Sequence, residues 1–373
     1  MRALFLALVI TMLGVAPAPI VAQSTYGRYD TATAIDESPL EYSPIQILEE
    51  QAVAPEVGAS KFLGEEIGSC RQFYFQGDGL YWDRVGTGCN QILAIDTNLT
   101  PGTDSILQSD NLNFNGAGGT RFLIGWTPDP CRCSHCCALE LSYFGLYNWE
   151  ANSRLTGAGN LAIPGDLGLA SNNFFGADIL DFNYRSSLNN IELNCVKTCC
   201  LCDATLDFLC GFRFITLQER FTITGTDFQE GTSSYDVTAN NYLYGVQLGG
   251  RYTRHFCQWS LQLTGKAGVF VNDASQSQIA TDFPTVGGPF LLRDRVGADG
   301  SAVAALGELG VTAIRPINET WSLRLGYMAL GLGGVALAPD QLDFTDTFAS
   351  GTQLHSTGWI FAHGVALGAE ARW

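Results

Sequence analysis

Reactive side chains are few in this chain and unevenly placed, and cysteine dominates them. Of 12 cysteines, eight fall in two clusters, Cys131, Cys133, Cys136 and Cys137, then Cys195, Cys199, Cys200 and Cys202. Cys70, Cys89, Cys210 and Cys257 make up the rest. An even count behind an N-terminal export signal points to disulfides. Cys131 to Cys137 with His135 inside it also offers soft ligands of the kind zinc takes, and that is the rival reading. Spacing alone does not choose the pairs. Cys210 and Cys257 are placed on the same rim as the two clusters, so ten cysteines, all but Cys70 and Cys89, are candidate disulfide partners.

The catalytic inventory is thinner. Only His135, His255, His355 and His363 are present, and His355 follows Asp340, Asp343 and Asp346 in one predicted loop. An Asp and a His there could make a general base pair. No Gly-x-Ser-x-Gly nucleophile turn accompanies them, so a solvated acidic loop is the preferred reading and no enzyme activity or cofactor is expected. Gly116 to Gly119 and Gly331 to Gly334 lack the strand-to-helix setting of a phosphate loop and read as strand ends and bends. The loop acids Asp96, Asp104, Asp273 and Asp282 offer only a weak cation signal.

The elements that must carry these groups read as strands. From Phe73 onward, apolar and polar residues alternate in runs of about ten, as in Leu139, Leu141 and Tyr143 against Glu140 and Ser142. The last run places Val365, Leu367, Ala369, Ala371 and Trp373 on one face, with Ala366, Gly368, Glu370 and Arg372 on the other. Runs of this length suit a tilted strand crossing hydrocarbon. Trp82, Trp126, Trp149, Trp259, Trp321 and Trp373 stand near run ends, where amphipathic rings favour a membrane interface. Short connections near Pro128, Thr198, His255 and Pro316 alternate with longer ones near Thr103, Asn160, Gly231, Pro284 and Phe344. The expected fold is therefore all-β, a single antiparallel up-and-down transmembrane barrel of about ten strands, with twelve as the alternative count. A soluble β-sandwich, which also alternates, is the competing architecture.

On this reading the apolar faces meet lipid and Asp78, Arg121, Asp181, Arg185, Arg213, Arg251, Lys266, Arg324 and Glu370 face the lumen. A wall of ten strands carrying those charges would largely fill its own interior, since aqueous channels appear nearer 16 to 18 strands. The rest of the chain fits export: residues 1–22 carry Arg2, an apolar run and a small-residue end before Gln23, as a signal peptide does. Residues 23–69 read as a flexible acidic leader and 70–373 as the barrel. With 20 Lys and Arg against 37 Asp and Glu, net charge -17, nucleic acid is a poor partner. The expected partners are outer-membrane lipid and the barrel-insertion machinery, which would read the final strand and its Trp373.

Three segments carry a resemblance: Gly211 to Phe221, Asn240 to Gly249 and Gly265 to Asn272, together with the start at Phe75 to Trp82. They resemble the seventh putative β-barrel porin family of predicted bacterial outer-membrane proteins. The resemblance spans roughly 72–373 and implies an outer-membrane barrel with porin-like passage of small solutes or a structural role in the envelope. The cysteine-rich turns are not part of that pattern. They leave open a non-conducting barrel that holds a partner through its loops or its rim, and, as a minor alternative, a barrel hydrolase.

Overall fold

The computed structural model describes residues 73–86, 88, 90–99, 105–127, 137–165, 167 and 173–373. The proposed signal peptide and leader, Cys70, Cys89, Asp104, Cys131, Cys133, His135 and Cys136 lie outside them. No described helix is long and apolar enough to cross a membrane. The described residues form twelve strands: β1 Phe73–Val85, β2 Ile92–Asp96, β3 Ser105–Gln108, β4 Ala117–Trp126, β5 Ala138–Ala162, β6 Phe175–Cys200, β7 Ala204–Asp227, β8 Gly231–His255, β9 Ser260–Pro284, β10 Phe290–Pro316, β11 Trp321–Val335 and β12 Gly358–Arg372.

All neighbours in the sheet are antiparallel, in the order β3-β2-β5-β4-β1-β12-β11-β10-β9-β8-β7-β6, and β6 pairs back onto β5. Ten strands thus close a ring, with β2 and β3 attached to β5 outside it. Closure matters because a sheet without edges satisfies every ladder hydrogen bond internally. The two chain ends of the ring are joined as well, since Phe73 and Trp373 exchange backbone hydrogen bonds of 3.1 and 3.0 Å. We call the rim holding Trp373 the near rim.

Along each long strand the sidedness of the pattern changes. In the near half the outer face is apolar: Ile124, Leu141, Leu193, Phe212, Val246, Val269, Leu325 and Leu367 are all exposed. Trp126, Trp321 and Trp373 edge this belt at the near rim, where Phe256 stacks on Trp259 at 4.3 Å, and Tyr81, Tyr147, Tyr242 and Trp359 edge it on the far side. Beyond those rings the outer face turns polar, with ion pairs Arg154–Asp181, Arg185–Glu150 and Arg220–Asp236. The inner face there is apolar, packed from Leu180, Phe182, Tyr184, Phe221, Ile223, Tyr235 and Val237.

This inversion corrects two lumen assignments. Asp181 and Arg185 face outward, on the far side of the apolar belt, because Leu180, Phe182 and Tyr184 turn inward where the wall leaves the hydrocarbon for water. It also corrects two loops. The connections at Gly231 and Pro284 are tight turns on strands of about 25 residues, not long loops. At the first of these, Asp227 accepts backbone N–H bonds from Gln229 and Glu230, and Gly231 takes φ 134°. Two tryptophans leave the proposed girdle as well. Trp82 shares the inward parity of Gln76 and Asp78 on β1, so it is buried. Trp149 is turned inward by a bulge between Leu146 and Trp149, where Asn148 adopts φ 59° and shifts the side-chain alternation by one.

Candidate functional site: the lumen

The near half of the lumen is lined by alternate residues of every ring strand, and their charges meet in three groups. Asp78 on β1 accepts from Arg121 at 2.7 Å, while Arg324 on β11 reaches Glu370 on β12 at 2.6 Å. Arg372 closes on the other Glu370 oxygen. Across the barrel, Arg251 makes a two-pronged contact with Glu140, both bonds 2.9 Å, and Tyr74 donates to the same carboxylate at 2.6 Å. Between them, Arg213 donates to Glu308 at 2.9 Å and to Gln247 at 3.2 Å, and Lys266 donates to Glu192 at 2.9 Å. Arg213 also donates to Asn190, and Asn194 and Gln247 donate to Glu192.

Six carboxylates, Asp78, Glu140, Glu192, Asp207, Glu308 and Glu370, thus face six cations, Arg121, Arg213, Arg251, Lys266, Arg324 and Arg372. The formal charges of these groups sum to zero. Burying charges is costly unless each is paired and hydrogen-bonded, and here each one is. Seven of the nine residues predicted to face the lumen are therefore in it, and all seven belong to this network. Beside Tyr74, Glu140, Arg251 and Lys266 the network leaves a cavity of about 80 Å³. That holds a handful of waters, not a hydrated solute.

Toward the far side the lumen is closed by side chains and by one loop. Trp82, Phe144, Leu146, Trp149, Leu217 and Leu330 pack across the axis, with the Trp149 indole donating to the Trp82 carbonyl at 3.0 Å. The loop between β11 and β12 then turns inward at Gly334, whose φ of +83° is one a side chain would strain. Wall side chains hold its backbone. Asn241 bonds both the N–H and the carbonyl of Ala336, at 2.7 and 2.8 Å, and Asn272 donates to the Gly334 carbonyl at 2.9 Å. Glu219 accepts the Ala338 N–H at 2.8 Å, Gln276 donates to the Gly351 carbonyl at 2.6 Å, and Arg293 to the Asp343 carbonyl at 2.6 Å. Asp343 organises the loop tip. Burial works against its ionised form, but hydrogen bonds from Thr345 and from the Gly351 N–H prevail and hold the carboxyl below its ordinary value.

The catalytic and cation candidates are scattered. His355 is exposed and tied to Gln341 through its backbone, while His363 stacks with Tyr327 on the outer face. Asp96, Asp273 and Asp282 stand apart, and no group of three or more metal-ligating side chains occurs among the described residues. Of the candidate disulfide cysteines, Cys137, Cys195, Cys199, Cys200, Cys202, Cys210 and Cys257 are free thiols. The two clusters do meet, since the Cys195 thiol contacts that of Cys137. Composition and periodicity did not single out Arg84, Glu219, Asn241 or Arg293, whose partners lie far away in sequence.

The profile of the putative beta barrel porin-7 family matches residues 85–373. No curated protein matches the sequence. Among solved structures, the outer membrane protease OmpT from Escherichia coli is similar at 8% identity over 81% of this chain and 97% of that one, with a TM-score of 0.41. A Pseudomonas aeruginosa FadL homologue aligns at 10% identity over 81% and 90%, TM-score 0.26. The Pseudomonas putida toluene transporter TodX aligns at 7% identity over 82% and 90%, TM-score 0.24.

Proposed function

Because this chain belongs to the putative beta barrel porin-7 family, we propose that it is an outer-membrane barrel with a sealed lumen, serving the envelope as a structural or partner-holding element and not as an open diffusion pore. Residues 1–22 export it, and the belt from the near-rim tryptophans to the far tyrosines sits in the hydrocarbon. The near rim with its short turns is then periplasmic, and the polar strand extensions stand outside the cell. The final strand ending on Trp373 is what the insertion machinery reads. Outer-membrane lipid is the partner of the apolar belt, and the acidic surface gives nucleic acid no seat.

One observation carries the sealed reading. Paired charges fill the near half of the lumen, leaving a cavity of about 80 Å³, and tryptophans with the β11–β12 loop fill the far half. Single-channel recording in planar bilayers tests it. The folded barrel should insert without discrete conductance steps up to moderate voltage. Reproducible steps from pure protein would overturn the sealed lumen and favour porin-like passage of small solutes.

A further inference from the structure

Cys137, Cys195 and Cys210 form a row of thiols that no part of the lumen network uses. Cys137 leads into β5, Cys195 lies on β6 and Cys210 on β7. Cys195 is directly opposite Cys210 in the β6–β7 ladder and directly opposite Leu139 in the β5–β6 ladder, which puts Cys137 one diagonal step away. All three share the outer face with exposed Leu139, Leu193, Phe208 and Phe212, at the near end of the apolar belt. The Cys195 thiol lies near enough to both other thiols to interact with each. Closing the ring at these positions calls for apolar side chains, and sulfur in three adjacent strands adds redox chemistry to them.

Geometry separates the two pairings open to Cys195. Directly opposed residues of an antiparallel ladder have Cα atoms about 4.5 to 5.5 Å apart, inside the roughly 4.4 to 6.8 Å that a disulfide spans. Diagonal neighbours stand at about 7 to 8 Å, beyond easy bridging. We propose that Cys195 and Cys210 close a cross-strand disulfide on export, with Cys137 left beside it as a free thiol. The proposal rests on the outer-membrane reading only for its oxidising compartment.

The oxidant is a dithiol–disulfide protein of the exported space. One cysteine thiolate attacks its disulfide, forms a mixed disulfide and releases one oxidant thiol. The second cysteine then displaces the other oxidant sulfur, so two electrons and two protons pass to the oxidant.

The test alkylates the thiols of intact cells with N-ethylmaleimide, fractionates them, digests without reductant and maps the peptides by mass spectrometry. In the envelope fraction the Cys195 and Cys210 peptides should be joined and Cys137 alkylated, with at least a tenfold loss of alkylation at Cys195 and Cys210 relative to a reduced sample. Envelope-located protein with both cysteines alkylated, or with Cys195 joined to a turn cysteine, would overturn the proposal. Absence of the chain from the envelope would count against the outer-membrane reading alone. The pairing is then judged on protein folded in detergent micelles in a glutathione redox buffer. There Cys137→Ser should leave the bond in place and Cys195→Ser should free Cys210, and equal alkylation of Cys210 in the two variants would sink the pairing.

Discussion

Arg84 and Glu219 meet at 2.7 Å with both side chains fully buried in the far half of the lumen. Arg84 lies against the rings of Phe114, Trp149 and Tyr184, which shield its Nε and Nη1, the donors without a hydrogen-bond acceptor. Glu219 also accepts from the Tyr184 and Ser186 hydroxyls and from the Ala338 N–H. Breaking such a pair leaves an uncompensated buried charge, so Glu219→Ala should cost about 3 to 5 kcal/mol. Denaturant unfolding in micelles checks this, with Glu219→Gln as the milder variant, since its amide oxygen can still accept. A loss below about 1 kcal/mol for Glu219→Ala would mean that Arg84 reaches solvent. Neither residue stood out in the sequence, because a buried pair formed across a barrel leaves no local spacing. Asp78 and Glu370 were legible because each alternates with lipid-facing neighbours on its own strand.

The strands follow one rule with a change of solvent partway along. Alternation located the ring strands, and seven of the charges it assigned to the lumen line it, because inside the bilayer the apolar face must point out. It misplaced Asp181 and Arg185, since alternation records two faces without saying which one meets lipid, and the wall inverts where water replaces hydrocarbon. β9 isolates the effect on one face. Val269 is 58% exposed in the apolar belt, and Ser275 points the same way on the polar extension beside Asp299 of β10. Val269→Lys should destabilise the inserted barrel by about 2 to 4 kcal/mol, the cost of a cation near the bilayer midplane. Ser275→Lys should change stability by less than about 0.5 kcal/mol, as surface substitutions usually do. Unfolding in lipid vesicles measures both, and equal losses would refute the belt.

At the scale of the molecule, the lumen is closed either by the loop between Val335 and Gly358 or by the wall itself, and the two alternatives predict different truncations. The loop is held by Asn241, Gln276, Gln278 and Arg293; cutting back 339–355 leaves the Ala336 partner of Asn241 in place and strands the other three buried polar side chains on the wall. Yet Trp82, Phe144, Leu146 and Trp149 come from β1 and β5, and the charge network below them contains no loop residue. Replacing 339–355 by a short Gly-Ser turn should therefore lower stability by several kcal/mol, at about 1 to 3 kcal/mol for each buried polar group left unpaired. It should leave the bilayer current silent. Should the shortened barrel instead open discrete channels while the intact one stays closed, the loop is a gate in a conducting wall, and the chain is a regulated pore.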